Sequence, residues 1–542
     1  MYSGILKLAQ PKNEAELDYE PGSREREEVQ NKIEELMAEV REIPVIIGGE
    51  EIYTGNTVDV VMPHDHKHVL AKAHLADAAT LRQAVKTALS VKESYNELDW
   101  LSRATTMLKA ADMLSGSWRS TLVAATMIGI SKTVHQAEID VAELIDMYRF
   151  NPYYLYQILQ QQSVDAEGMT NWLDYRPLDG FVLAINPFNF TSIAGNLPTA
   201  PTLTGNVVLW KPATSALYNA YFIMRLLQEA GFYTGSVNFI PSHGKDVSEV
   251  LLTDPNLGGV HFTGSTGTMN TIFKTVGENI SRYRQYPRLV GETGGKNFLV
   301  AHGSADADEA ITAMIRGAYE YQGQKCSATS RAYISRELWA RIENKLLDEI
   351  KSIKVGSPTD FDNFMCSIID EQQFKKVISY IEEIKKDSKY EILIGGTYDD
   401  SVGYYVEPML VITTEPKAKI MEEEIFGPIL TVYLYDDDRY EETLRLCDQT
   451  SPYGLTGSVF AHDREAIAKA EKILRFAAGN FYVNDKTTGS MIGQQPFGGS
   501  RKSGTNDKTA YIPNIMRWTS IRAVKETYNP PRNYRRPYME MK

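Results

Sequence analysis

The strongest constraint on the fold of this chain is a series of short apolar runs, which helix-like segments separate. Four such runs follow one another between Phe181 and Phe262, and a second series extends from Asn297 to Asn484. Because the runs are continuous rather than alternating, we expect strands buried on both faces of parallel sheets, with helices as crossovers. Ligands of such sheets bind beyond the carboxyl ends of the strands, so those ends are the first place to look for a site.

Length, charge and cysteine content narrow the class of protein. A chain of 542 residues is long enough for two or three domains, and a net charge of -13 argues against a nucleic-acid surface. Three cysteines do not make a disulfide framework and fit a reducing compartment. No run reaches the roughly 18 apolar residues of a membrane span, and no Cys/His cluster suggests a metal. Since the first 20 residues are acidic rather than rich in Arg and Ser, we expect a cytoplasmic protein.

Two residues near the junction of the two series could carry chemistry. Glu292 ends an apolar run just before two glycines, and Cys326 lies in a Gly-Gln-Lys-Cys turn among small polar residues. A thiol that a substrate can approach, with a carboxylate able to activate water, suits chemistry through a thioester. The structural alternative for a free cysteine is a small buried hydrophobe, which is how we interpret Cys366 and Cys447.

Polar and small residues follow the apolar runs of the first series. Asn189 comes after the first run, Lys211 after the second, and the turn 263–267 opens a helix after the fourth. Backbone N–H groups and the dipole at such a helix start suit a phosphate. Because the usual GxGxxG fingerprint is absent, this turn is equally well explained as an ordinary connection between strand and helix.

Seven motifs, in one order and at compatible spacing, resemble those of the aldehyde dehydrogenase family. They are INPFNFT (185–191), LWKPA (209–213), FTGST (262–266), GETGGKN (291–297), GQKCSATSR (323–331), EEIFGP (423–428) and GQQPFGGSRKSGTNDK (493–508). The chain most resembles the branch that oxidises glutamate γ-semialdehyde, the open form of pyrroline-5-carboxylate, in proline catabolism. The resemblance covers nearly the whole chain from about residue 40 onward.

This resemblance implies an α/β fold of two doubly wound parallel-sheet domains with a small β flap for oligomerisation. The implied parts are an NAD-binding domain (1–165, helical in its N-terminal part, and 181–293), a catalytic domain (294–488), a substrate-anchoring loop (489–508) and an oligomerisation arm (166–180 and 509–542). An exchanged β-hairpin of this kind implies a homodimer or a higher homo-oligomer.

The implied mechanism uses three catalytic residues. Cys326 as thiolate adds to the aldehyde carbon, and the oxyanion is held by the Asn189 side-chain amide and the Cys326 backbone N–H. Hydride passes to the nicotinamide ring, and Glu292 activates the water that hydrolyses the thioacyl enzyme. The family residues implied to bind the cofactor correspond here to Lys211, Gly264, Ser265, Thr266, Gly267, Thr268, Glu424 and Phe426. NAD is expected because this branch usually uses it, although the residues after Lys211 leave NADP open.

The substrate assignment rests on fewer residues. The α-carboxylate and α-amino groups of the substrate lose water on binding, which costs free energy unless polar groups of the protein replace it. The resemblance implies that the amino acid end of the substrate meets Gly489 and Ser490 of the anchoring loop, with Ser327 beside the nucleophile. Phe190 and Phe497 would pack on the aliphatic part, and Glu138 would meet the amino group. The alternative for Glu138 is a solvated or salt-bridged helix face.

Three other functions compete with this interpretation. A dehydrogenase of another carboxylated semialdehyde, such as succinate semialdehyde, shares the chemistry. A non-catalytic member of the family would be expected to lack Cys326 or its base, which are present. A cysteine hydrolase would need a histidine near the thiol, and the sequence offers none between His302 and His462. Apart from copies of itself, the expected partners are a small-molecule substrate and, functionally, a separate proline dehydrogenase.

Overall fold

The structure, a computed structural model, describes residues 7–539 and contains two large sheets, each of seven strands within that range. In the first sheet, five parallel strands are followed at one edge by two antiparallel ones. In spatial order they are Arg288–Glu292, Leu257–Thr263, Phe181–Ile185, Val207–Lys211, Val237–Phe239, Val45–Ile47 and Glu50–Ile52.

The second sheet is parallel except for one antiparallel edge strand. Its strands are Tyr390–Ile394, Met409–Thr413, Ile429–Tyr435, Thr329–Ser335, Asn297–Ala301, Thr456–Phe460 and Asn480–Val483. A third sheet is built from Arg41–Ile43, Asp65–His74 and Thr57–Met62, and short two-residue pairs join Tyr398–Asp399 to Tyr405–Val406 and Tyr453–Gly454 to Ser500–Arg501.

Both large sheets are covered on both faces. In the strand Phe181–Ile185, Phe181 and Leu183 pack into one hydrophobic cluster, whereas Val182 and Ala184 pack into another on the opposite face. The strand Asn297–Ala301 divides its side chains between two clusters in the same way. Successive side chains of a strand point to opposite faces, so a continuous apolar run is what a doubly covered strand requires. The predicted α/β architecture is therefore confirmed.

Helices supply those covering layers. They are Arg24–Met37, Ala78–Glu97, Trp100–Ser115, Arg119–Ile130, Val134–Leu159, Thr191–Leu203, Leu217–Ala230, Gly244–Asp246, Thr266–Glu278, Ala307–Tyr319, Arg336–Ser352, Glu371–Lys386, Lys419–Glu422, Tyr440–Thr450, Arg464–Ile473 and Ile512–Arg517. The helix Val134–Leu159, called the long helix below, is buried over most of its length.

The structure differs from the prediction at the apolar run 404–413, and it shows how the two segments of the predicted arm pair. The apolar run 404–413 is two strands rather than one, because Pro408 has no N–H to donate to a ladder. The segments expected to form the arm, in contrast, pair as the antiparallel strands Met169–Pro177 and Thr519–Thr527. Trp172 and Ile521 on this two-stranded sheet expose 38% and 46% of their surface, which is unusual for large apolar side chains in a strand.

Candidate active site

The turn that carries Cys326 is built from residues in unusual backbone conformations. After the helix Ala307–Tyr319, Tyr321, Gln322 and Gly323 have positive φ angles of 52°, 56° and 68°. Buried hydrogen bonds hold them, including one of 2.7 Å from Gln322 Nε2 to the carbonyl of Ser367. Such conformations persist where surrounding contacts fix them, and they cluster at functional sites. Cys326 follows this turn and is partly exposed, whereas Cys366 and Cys447 are buried.

Asn297 fixes the backbone at Cys326 and just after it. Its Nδ2 donates to the carbonyl oxygens of Cys326 at 2.7 Å and Ala328 at 2.9 Å, and its Oδ1 accepts from the Thr456 N–H at 3.0 Å. One amide thus joins two strands of the second sheet to the nucleophile turn. Asn297 lies within the GETGGKN motif, but the sequence did not show what its side chain contacts.

Asn189 is buried close to the same turn. Its Nδ2 donates to the carbonyl of Gln324, two residues before Cys326, at 3.0 Å. The helix that begins at Thr191 is anchored to the long helix, because Asp140 accepts both the Thr191 and Ser192 N–H groups at 2.8 Å. The predicted oxyanion donor is therefore held against the nucleophile turn, and its catalytic role stays a prediction.

Glu292 ends its strand as a nearly buried carboxyl group. It exposes 8% of its surface, and its Oε2 accepts the Gly499 N–H at 2.8 Å. Burial raises the pKa of Glu292 to about 8, an effect that Lys508 partly offsets. Burial, followed by the nearby carboxylates of Glu424 and Glu292, also raises the pKa of the Cys326 thiol to about 12. The resting thiol is neutral at physiological pH, so nucleophilic attack requires a base.

One cavity of about 390 Å³ brings the predicted nucleophile and base together with five of the six predicted substrate residues. Cys326 and Glu292 both line it, as does Thr263 at the end of a strand of the first sheet. The predicted substrate residues in its wall are Phe190, Ser327, Gly489, Ser490 and Phe497. The Ser490 Oγ donates to the Gln495 carbonyl at 2.8 Å, so this hydroxyl also braces the anchoring loop.

Glu138 does not face the substrate cavity, and the prediction that it does is wrong. Its side chain is fully buried and forms an ion pair with Arg119. It also accepts hydrogen bonds from the Tyr19 hydroxyl at 2.6 Å and the Leu17 N–H at 2.9 Å. A buried carboxylate needs such partners, and they come from the opposite face of the long helix. The salt-bridged alternative describes this residue correctly.

The glutamate of the long helix that lines the cavity is Glu143, which the sequence analysis missed. Five residues along a helix turn the side chain by about 140°, so Glu143 points away from the face of Glu138. It accepts a hydrogen bond of 2.8 Å from Ser192 Oγ, and burial followed by the charge of Asp140 raises its pKa to about 7. Asp146 also lines the cavity, with a pKa that burial raises to about 6.

A basic cluster lies elsewhere in the wall. Glu320 is buried between Arg316 at 2.8 Å and Lys325 at 3.1 Å, and Lys486 also lines the cavity. Burial alone would raise the pKa of Glu320, but the surrounding cations lower it to about 2. This ion pairing keeps Lys325 structured directly beside the nucleophile.

His135 reaches the same cavity from the start of the long helix. The sequence did not place a histidine near Cys326, because the two residues are far apart along the chain. Among residues 7–539 no hydrogen bond joins His135 to Cys326, so the arrangement needed by a cysteine hydrolase is not formed there.

The predicted phosphate turn adjoins Glu292. The Gly264 N–H donates to the Glu292 carbonyl at 3.1 Å, and Ser265 caps the helix Thr266–Glu278 by accepting from the Thr268 N–H at 3.1 Å. Gly267 and Thr268 are exposed at the helix start. This turn can therefore offer backbone donors and a helix dipole to a pyrophosphate.

The remaining predicted cofactor residues also fit a dinucleotide. Within residues 7–539 the Lys211 ammonium has no hydrogen-bonding partner, and burial lowers its pKa to about 8. Glu424 Oε1 accepts the Gly295 N–H at 2.9 Å, and a side chain at Gly294 would collide with Glu424. The second Glu424 oxygen accepts no hydrogen bond from residues 7–539, so it can accept one from a ribose hydroxyl. Phe426, at a φ of 62°, packs edge to face on Phe188 with ring centroids 5.9 Å apart.

Residues 7–539 contain neither a membrane-spanning helix nor a metal-binding cluster. Within that range no helix is long and apolar enough to cross a membrane. No group of three or more His, Cys, Asp or Glu side chains in the described part of the chain could hold a metal ion.

Comparison with known proteins identifies the family. The profile of the "Aldehyde dehydrogenase family" matches residues 52–524, so this chain belongs to the aldehyde dehydrogenase family. The resemblance inferred from the motifs is thereby confirmed.

Its relatives narrow the branch. The chain is similar to the delta-1-pyrroline-5-carboxylate dehydrogenase of Dictyostelium discoideum, 47% identical over 98% of this chain and 96% of that protein. The human protein of the same name is 46% identical over 99% of this chain and 96% of its own length. A crystal structure of the Mycobacterium tuberculosis dehydrogenase of the same name, bound with NAD, has a TM-score of 0.96 at 47% identity and covers both chains fully. The structure of proline utilization A from Bdellovibrio bacteriovorus has a TM-score of 0.91 at 27% identity. The match covers 96% of this chain and 54% of that protein.

The names of these relatives correct one expectation. The Dictyostelium discoideum, Bos taurus and Homo sapiens proteins are named as mitochondrial, which contradicts the predicted cytoplasmic location and points to the mitochondrion. That prediction relied on the composition of the first 20 residues. Cellular addresses are read from short segments by receptors, so neither the fold nor the site constrains them.

Proposed function

We propose that this protein oxidises L-glutamate γ-semialdehyde to L-glutamate with NAD, the semialdehyde arising from pyrroline-5-carboxylate by ring opening. The observation that carries the proposal is the cavity in which Cys326, Glu292 and the anchoring loop meet. The relatives named as pyrroline-5-carboxylate dehydrogenases support the substrate, and the NAD-bound structure of one of them supports the cofactor.

The chemistry begins with the thiol. Because the pKa of Cys326 is raised to about 12, its proton must leave as the sulfur attacks, and Glu292 with a pKa near 8 is a suitable acceptor in the same cavity. The new C–S bond moves the carbonyl electron pair onto oxygen. We assign the Asn189 amide and the Cys326 N–H to stabilise that oxyanion. NAD, when bound, supplies the acceptor for the hydride that leaves the aldehyde carbon.

Hydrolysis of the resulting thioester restores the enzyme. Glu292 first releases to solvent the proton that it took from Cys326. As carboxylate, it then takes a proton from water while the water oxygen attacks the thioester carbon. The C–S bond breaks, the leaving thiolate takes the proton held by Glu292, and the new acid loses its proton to solvent as glutamate. Holding the carboxylate by the Gly499 N–H at 2.8 Å keeps it oriented for this step. Pairs of groups with shifted pKa values in one cavity are typical of acid–base catalysis.

Two walls of the cavity suit the two charges of the amino acid end. Gly489 and Ser490 are assigned to the α-carboxylate, and Glu143 replaces Glu138 as the candidate for the α-ammonium group. A bound ammonium would lower the raised pKa of Glu143, since an opposite charge favours the carboxylate. Succinate semialdehyde, the alternative substrate, has no ammonium to make use of this carboxyl group.

For assembly we propose a homodimer or a higher homo-oligomer formed through the two-stranded sheet of Met169–Pro177 and Thr519–Thr527. The exposed Trp172 and Ile521 on that sheet support an interface. We also infer a functional link to a proline dehydrogenase that supplies the substrate. The likeness to proline utilization A supports this link.

The test is NADH formation from pyrroline-5-carboxylate, followed by absorbance. Wild type should reduce NAD, and Cys326→Ala should lose at least about a thousandfold in kcat because no thioester can form. Cys366→Ala, which removes a buried thiol outside the cavity, is the matched control. Preference for succinate semialdehyde would establish the alternative, and activity in Cys326→Ala would refute the nucleophile.

A further inference from the structure

The N-terminal segment 13–16 contributes to the wall of the catalytic cavity, although it precedes both sheets in the chain. Glu14 and Glu16 line the cavity together with Cys326 and the anchoring-loop residues Met491 and Ile492. We propose that residues 13–16 form a clasp that holds the anchoring loop against the long helix, and that Asn13 is the positioning residue that sets affinity for carboxylated aldehydes.

The side chain of Asn13 joins the anchoring loop to the long helix directly. Its Nδ2 donates to Asp146 Oδ2 of the long helix at 2.6 Å and to the Ile492 carbonyl of the anchoring loop at 2.8 Å. Its Oδ1 accepts from Gln494 Nε2 at 3.0 Å. A single amide therefore contacts the loop twice and the helix once. Ile492 is only two residues from Ser490, which is assigned to the substrate carboxylate.

The clasp itself is fixed to the helical layer by charge. Glu14 bridges Arg119 at 2.5 Å and Arg149 at 2.6 Å, and its N–H donates to Asp146 Oδ1 at 2.7 Å. A further bond of 2.7 Å runs from Arg119 Nη2 to the Ala15 carbonyl. Charge-assisted hydrogen bonds are stronger than neutral ones, so the clasp provides a firm support.

These contacts also assign a role to Asp146. Both of its carboxylate oxygens accept hydrogen bonds from the clasp, one from Asn13 and one from the Glu14 N–H. Asp146 is 6% exposed, so little of it remains for the substrate. It holds the clasp, and this leaves Glu143 as the acidic group of the long helix available to the substrate.

The position of the clasp predicts which step it affects. Its hydrogen bonds reach the loop and the long helix, whereas the nucleophile turn is held by Asn297 and the general base by Gly499. Loss of the Asn13 amide should loosen the loop that receives the substrate carboxylate and leave the reacting groups in place. The effect should fall on KM rather than on kcat, and on carboxylated aldehydes rather than simple ones.

The inference rests on the proposed function for its choice of substrate, and the first experiment uses steady-state kinetics. Asn13→Ala should raise KM for glutamate semialdehyde by roughly 10-fold, the effect of about one lost hydrogen bond to a charged group, with kcat within about twofold. The kcat/KM for propanal should not change. Lys12→Ala, at an exposed neighbouring position, is the control. An unchanged KM, or equal losses on both aldehydes, would overturn the role in affinity.

Hydrogen–deuterium exchange tests the clasp without reference to any substrate. In Asn13→Ala the amides of residues 489–495 should exchange faster than in wild type, and in Lys12→Ala they should not. Unchanged exchange would overturn the positioning role whatever the kinetics show. If wild type fails to oxidise glutamate semialdehyde, the proposed function falls. The KM comparison is then made with succinate semialdehyde and propanal. An unchanged KM, or equal losses on both aldehydes, would again overturn the role of the clasp in affinity.

Discussion

Replacing Glu292 with glutamine should change the pH dependence of stability in a defined direction. Burial raises the pKa of this carboxyl group from 4.5 to about 8, so the folded protein holds the proton more tightly than the unfolded chain. Unfolding therefore releases a proton between those two pH values, and wild-type stability falls as pH rises from about 4.5 to about 8. Glutamine at position 292 has no proton to lose, and it keeps an acceptor for the Gly499 N–H.

The size of the effect follows from the same two pKa values. Each pH unit between 4.5 and 8 contributes about 1.4 kcal/mol, so the full difference is at most about 5 kcal/mol. Glu292→Gln should thus gain stability relative to wild type as pH increases, with most of the gain present by pH 9. Near pH 5 the two proteins should differ little, because the carboxyl group is neutral in the folded state.

Urea unfolding followed by tryptophan fluorescence at pH 5.5, 7 and 9 measures this difference. Glu20→Gln, at an exposed position, controls for the loss of one acidic side chain. The same variant should lose catalytic turnover by roughly 10²- to 10⁴-fold, the usual contribution of a general base. A stability difference between Glu292→Gln and wild type that is constant from pH 5.5 to pH 9 would refute the reasoning.

Three further predictions use other parts of the structure. In wild type, kcat should rise with pH around a midpoint near 8, the pKa of Glu292. Lys508→Met should move this midpoint to higher pH, because Lys508 lowers the pKa of Glu292. A pH–rate profile tests this, and an unchanged midpoint contradicts it. Ser490→Ala should reduce kcat/KM for glutamate semialdehyde by about tenfold and for propanal much less, and equal losses would exclude a role in anchoring the carboxylate. The double variant Trp172→Glu/Ile521→Glu should sediment as a folded monomer, since both side chains are exposed on the two-stranded sheet. A native-sized oligomer would show that the interface lies elsewhere.

Much of the fold was predictable because the relevant signal is local. A strand covered on both faces needs apolar residues at consecutive positions, and this requirement is visible in runs such as Phe181–Ile185 and Asn297–Ala301. The motifs around Cys326 and Glu292 were visible for a similar reason, since glycines mark places where the backbone must approach closely. Five of the six predicted substrate residues lie in the cavity wall.

The remaining features depend on contacts between distant segments. Glu138 and Glu143 are five residues apart on one helix, and only the packing of Arg119 and Tyr19 against one face decides which of them reaches the cavity. No periodicity marks this choice, because the long helix is buried on most sides.

The sequence by itself determined the fold class, from local patterns of side-chain size and polarity, and the family, from its motifs. It also predicted Cys326 as nucleophile and Glu292 as base. Only the tertiary structure decided which glutamate of the long helix lines the cavity, how far the pKa values of Cys326 and Glu292 rise, and that Asn13 meets Ile492 across 479 positions of the chain. Burial and long-range hydrogen bonding are properties of the packed molecule, because they depend on which segments exclude water from one another.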